Sequence, residues 1–150
     1  MIQFKTITRI LLATSLILIL ESCSSFRNAA RRNMTVAFYN VENLFDLDDA
    51  PGKADEEFSP GGEKKWSRER YEQKLEDIAR VISALNEGDL PEIVGLSEVE
   101  NEQVLTDLTR TGLLANGKYK VIHHESPDFR GIDCALIYRP AEFKVLEHTA

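Results

Sequence analysis

"PEIVGLSEVEN", Pro91 to Asn101, is the stretch on which the fold turns. Ile93 to Leu96 is an uninterrupted apolar run introduced by Pro91, the pattern of a short, fully apolar strand rather than of a half-exposed helix. Glu98 follows almost at once, at the carboxyl end of that strand, where α/β proteins gather their ligand sites. A carboxylate there is badly placed for packing. It is well placed to hold a hard cation such as Mg2+, which takes only one or two protein carboxylates and leaves its other positions to water and phosphate oxygens.

Upstream of this strand, apolar residues recur at Tyr71, Leu75, Ile78, Ile82 and Leu85, the spacing of a helix with one buried stripe, and predict a helix from Ser67 to about Asn86. Ser67 is placed as its N-cap, Trp66 and Tyr71 as a hydrophobic staple, and Gly88 follows its end. Further upstream, "MTVAFYNVENLF" predicts a strand from Thr35 to Tyr39 that Asn40 ends. Asn40 thus occupies the same place on the first strand as Glu98 on the second. An amide can offer an oxygen near a metal and an N–H toward a phosphate without adding charge. Both residues also have ordinary structural readings, since Asn terminates strands and Glu begins helices. Downstream, Glu102 to Thr109 predicts a shorter helix through Val104, Leu105 and Leu108. Tyr119 to His123, Ile132 to Tyr138 and Phe143 to Glu147 predict three more strands, the last two joined by a tight turn at residues 139 to 142. Strands alternating with helices define an α/β class.

Composition limits the function classes. With 43% hydrophobic and 29% charged residues, the chain is that of a globular protein and not a disordered one. A formal charge of -7 argues against a surface made to neutralise a long polyanion, and leaves a site for a single phosphate group untouched. Acids crowd the loop from Asp46 to Gly62, but their spacing fits no EF-hand, and a solvated loop is the reading. Cys134, inside an apolar run, is expected to pack as a small hydrophobe.

The first 22 residues have the form of an export signal: Lys5 and Arg9 precede the apolar core Leu11 to Leu20, which is short for a membrane span. Leu20-Glu21-Ser22-Cys23 resembles a bacterial lipobox, although Glu21 is unusual at its place. The resemblance implies cleavage before Cys23, acylation of that cysteine, a tether from 23 to 33, and a domain from 34 to 150. The expected localisation is extracytoplasmic, with the lipid holding the protein at a bacterial membrane. Cleavage removes two of the 18 basic residues and one of the 25 acidic ones, taking the charge from -7 to -8.

In order and spacing, "FYNVENLF", "FSPGGEKKWSRERYEQKLEDIARVI", "PEIVGLSEVEN" and "HHESPDFRGIDCALIYRP" resemble the first half of the endonuclease/exonuclease/phosphatase superfamily, closest to its secreted bacterial branch. The resemblance runs from Met34 to about Glu147. It implies an α/β sandwich of two facing sheets with helices outside, incomplete in this chain, and Mg2+-dependent hydrolysis of phosphate esters, with Mn2+ as the alternative ion. Carried over by position, it makes Glu98 and Asn40 the metal-holding residues, and Asn40 also a catalytic residue that orients substrate phosphate and metal-bound groups. Arg130 falls where the family often contacts phosphate, with an ion pair to Asp133 as the structural alternative. His123 and His124 lie at a strand end in the wrong half of the pattern for catalysis. The family's Asp-x-Asn motif and its late Asp-His pair are not in this sequence, and in-line attack on phosphorus needs an activated water. The expectation is therefore the N-terminal part of a longer phosphoesterase, with an inactive, membrane-tethered binding or scaffolding lipoprotein as the alternative. Expected partners are a phosphoester substrate, whether nucleic acid, phospholipid head group or small ester, and the membrane reached through Cys23, with no obligate protein partner.

Overall fold

Among the described residues four strands and two α-helices follow in chain order: β1 (Val36–Leu44), α1 (Arg68–Ser83), β2 (Ile93–Val99), α2 (Glu102–Thr109), β3 (Lys120–His123) and β4 (Asp133–Tyr138). The computed structural model describes residues 33–149, so the leader, Cys23 and the tether up to residue 32 lie outside the described residues. Among the described residues no helix is long and apolar enough to cross a membrane.

The strands make one mixed sheet in the order β1-β2-β4-β3. β1 and β2 are parallel, in register from Val36↔Ile93 to Asn40↔Ser97, while β4 runs antiparallel to both β2 and β3. α1 is the crossover between the two parallel strands. Ser67 caps it as expected, its hydroxyl accepting from the Arg70 N–H, and Trp66 and Tyr71 are both buried. The helix stops at Ser83, earlier than the periodicity suggested. Leu85 lies beyond it and is exposed, and Ala79 joins Tyr71, Leu75, Ile78 and Ile82 on the buried face instead. Asn101 caps α2 by accepting from the Val104 N–H at 3.0 Å. The Tyr71 hydroxyl donates to Asp107 at 2.9 Å, tying the two helices together.

Both helices cover the same face of the sheet. Leu75, Ile78, Ile82, Val104, Leu105 and Leu108 pack with Val94, Leu96 and Ile137 in one core, to which Ala37, Tyr39, Val121 and Ala135 add from the strands. The opposite face carries the alternate residues, as the period of two requires. There Phe38 is 84% exposed, lying across Gly95 so closely that a Cβ at Gly95 would sit 2.5 Å from its ring. The result is an α/β architecture whose second layer is present on one side only, consistent with part of a two-sheet sandwich.

Three expectations need correction. Asn40 does not end β1, which continues through a bulge to Leu44. Phe143 to Glu147 is not a strand. Glu142 N–H and Phe143 N–H both donate to Arg139 O, forming the expected tight turn, but β4 already lies between β2 and β3 and has no free edge to receive a returning strand. Cys134 is exposed rather than packed, because its alternation places it on the bare face.

Candidate active site

The carboxyl ends of β1 and β2, the end of β3 and the start of β4 meet at one end of the sheet, and the pairing is irregular there. On the β1 side, register passes from Asn40↔Ser97 to Leu44↔Val99, so Val41 to Asn43 are accommodated opposite Glu98 alone. On the β4 side it passes from Ser97↔Cys134 to Val99↔Asp133, which makes Glu98 the unpaired extra residue of a bulge. Glu98 has φ 62°, and Glu42 and Asn43 have φ 56° and 64°. Side chains seldom adopt this left-handed region, at about 1–3 kcal/mol each, and residues held there cluster at functional sites. Bulges beside active sites commonly re-aim a side chain. Here the bulge turns Glu98 out of the regular up-and-down alternation and toward β1.

The two residues singled out at equivalent strand ends therefore meet. Asn40 Nδ2 donates to Glu98 Oε1 at 2.9 Å. Asn40 Oδ1 accepts from the Glu42 N–H at 2.8 Å, an Asx turn that holds the left-handed step following it. With the amide oxygen engaged, Asn40 presents nitrogen to the Glu98 end. The carboxylate is left to meet a cation, while the second N–H of Nδ2 can serve a phosphate oxygen. One carboxylate beside an uncharged donor fits a hard ion that keeps much of its water.

Arg130 also reaches this end. A depression of about 550 Å³ is lined by Ser97, Glu98, His124, Asp128, Arg130 and Asp133 among others. Arg130 does not make the ion pair to Asp133 that was its structural alternative: its guanidinium grips Asp128, with Nε to Oδ1 at 3.3 Å and Nη2 to Oδ2 at 3.2 Å. That grip holds the Asp128 carboxyl below the usual carboxylate range. Asp133 is taken instead by His123, whose Nε2 lies 3.0 Å from Asp133 Oδ2. His124 Nε2 faces His148 Nδ1 at 2.9 Å.

Two side chains that the sequence did not single out support the site. Lys74 Nζ, from α1, donates to Glu42 O at 2.8 Å and so pins the strained turn after Asn40. Burial pulls its ammonium below the usual lysine range, against the attraction of Glu42 and Glu98. A lysine three residues after Tyr71 and adjacent to Leu75, on the rim of the buried stripe, was the available signal. Asp128, two residues before Arg130, is the other, and nothing in its spacing set it apart from the neighbouring acids.

No curated protein and no solved structure resembles the chain closely enough to count as a match. The sequence model of the Endonuclease/Exonuclease/phosphatase family matches residues 35–150, from the start of β1 through the whole sheet end that joins Asn40 to Glu98, and the chain belongs to that family.

Proposed function

We propose that this chain carries the metal-holding part of a divalent-metal-dependent phosphoesterase, and that an acyl group on Cys23 tethers it on the extracytoplasmic side of a bacterial membrane. The observation that carries the catalytic reading is the 2.9 Å contact between Asn40 and Glu98 at the carboxyl ends of adjacent parallel strands. Glu98 would hold Mg2+, or Mn2+ in its place. When bound, the ion supplies Lewis-acid polarisation of a phosphoryl oxygen. Asn40 aligns the Glu98 carboxylate and offers its free N–H to a second phosphate oxygen. Arg130, kept charged and oriented by Asp128, presents a forked cation across the same depression, suited to two oxygens of one phosphate. Its grip on Asp128 is exposed, so a phosphate has only a weak partner to displace. The acidic charge balance favours short or isolated phosphoesters over long nucleic acid.

The test is the response to Mg2+. In the full chain, millimolar Mg2+ should raise the melting temperature, and Glu98→Gln should abolish the rise, because a neutral amide replaces the anionic donor a hard cation prefers. An equal rise in the variant would sink the assignment. Because Asp-x-Asn and Asp-His are not in the sequence, the 150-residue chain alone should turn over bis(p-nitrophenyl) phosphate no faster than background. Activity that vanishes with Glu98→Gln would show that other groups in the chain activate the water. For the tether, Cys23→Ser should move the protein from the membrane fraction to the soluble one, and unchanged retention would refute acylation at that residue.

A further inference from the structure

A second set of donors borders the same depression. His123 ends β3, Asp133 begins the antiparallel β4, and the loop between them brings back Glu125. One nitrogen of His123 and one carboxylate oxygen each from Glu125 and Asp133 all lie within 4.8 Å of one another. Among the described residues it is the one group of three or more His, Cys, Asp or Glu so arranged.

We propose that His123, Glu125 and Asp133 form a Zn2+ site distinct from the carboxylate of Glu98. His123 Nε2 and Asp133 Oδ2 are 3.0 Å apart, with side chains only 6% and 1% exposed. Zn–N and Zn–O bonds of about 2.0–2.2 Å place neighbouring tetrahedral ligands ~3.3 Å apart, so both atoms reach one ion after a shift of a few tenths of an ångström. Zn2+ would bind the Nε2 lone pair of the neutral imidazole, in the tautomer that carries its one proton on Nδ1. One imidazole nitrogen with two carboxylate oxygens is a softer set than Mg2+ selects and suits a first-row transition ion. Three protein donors also leave a fourth position for water.

The surroundings are those of a supported ligand set. Asp133 Oδ1 accepts from the Ser126 N–H at 2.8 Å, the kind of outer hydrogen bond that fixes a ligating carboxylate. A plain buried His–Asp pair would account for His123 and Asp133 but not for Glu125. That side chain is 66% exposed, and its ion pair among the described residues, to Lys53 Nζ at 3.9 Å, is a weak surface contact that an ion would replace. Glu125 is therefore the residue that separates the two explanations.

The experiment is a calorimetric titration of the chelator-treated full chain with ZnCl2, in excess Mg2+ to keep the Glu98 carboxylate engaged. One Zn2+ per chain is expected. Glu125→Gln, a surface change that leaves the fold alone, should weaken binding about tenfold or more, the scale on which even an outer partner of a metal acts. His123→Asn should abolish it. His124→Ala removes the other imidazole pair and should leave the titration unchanged, as should Glu98→Gln. The proposal is overturned by no stoichiometric Zn2+, by wild-type affinity in Glu125→Gln, or by loss of binding in His124→Ala or Glu98→Gln. If His123→Asn does not fold, Glu125→Gln decides alone. The site stands or falls independently of the phosphoesterase reading, since its readout is Zn2+ affinity and not Mg2+ response or turnover.

Discussion

At the scale of single residues, charge placement at the loaded end of the sheet departs from what composition suggests. Glu98 and Asn40 were recognisable because each breaks an apolar strand-like run, at the point where the regular pairing of β1 with β2 gives way to a bulge. Their contact spans 58 positions in the chain and depends on β1 and β2 being neighbours. Glu100, two residues on, is the opposite case. It is 6% exposed and accepts the Asp46 N–H at 2.6 Å. Burial, with Asp46, Asp55 and Asp48 nearby, pushes its carboxyl up to about 7. The folded protein thus keeps this proton to about pH 7, while the unfolded chain releases it near ~4.3. The stabilisation is complete below the unfolded value and is lost as pH rises through the folded one. Wild-type urea midpoints should fall between pH 5 and pH 8, and Glu100→Gln, which keeps an acceptor without the charge, should fall less. Parallel profiles for the two proteins would show that Glu100 does not titrate in this window.

Elements were legible where a local period runs for several turns. The α1 stripe is the strongest such signal, and the stripe from Tyr71 to Ile82 is buried as its spacing demands. Leu75, at 5% exposure, packs in the centre of the core. Leu75→Ala should lower unfolding free energy by about 2–5 kcal/mol, measured by urea denaturation, through lost burial and the cavity left behind. A loss under about 1 kcal/mol would mean the helix is loosely docked. Element ends were less legible. Leu85 continues the helical spacing, yet the chain leaves the helix at Ala84, whose N–H already bonds Val81 O in a tighter turn. Phe143 to Glu147 has a strand-like pattern, but Leu146 is 88% exposed and β4 has both edges occupied. Alternation describes a segment able to pair; pairing needs an open edge.

For the whole molecule, the unequal treatment of the two sheet faces is the dominant fact. One face is sealed by α1 and α2, while the other shows Phe38, Val36 and Cys134 to solvent. Apolar surface of this kind binds reporter dyes. Phe38→Ser should reduce anilinonaphthalene sulfonate fluorescence relative to the unaltered full chain while leaving the urea midpoint nearly unchanged, because the ring lies outside the helix-covered core. A large drop in the midpoint would instead show the ring to be part of the core. Taken by itself, the sequence determined the identity of the main elements, the two candidate positions Asn40 and Glu98, and a family pattern that the family match covers from residue 35 onward, because periodicity, capping and breaks in apolar runs are written in residues a few places apart. Tertiary structure alone decided the order β1-β2-β4-β3, the bulge that turns Glu98 toward Asn40, the pairing of Arg130 with Asp128 and of Asp133 with His123, and the exposure of Cys134. Each of these depends on which distant segment lies alongside, and a side chain's partner is whatever that packing brings within reach.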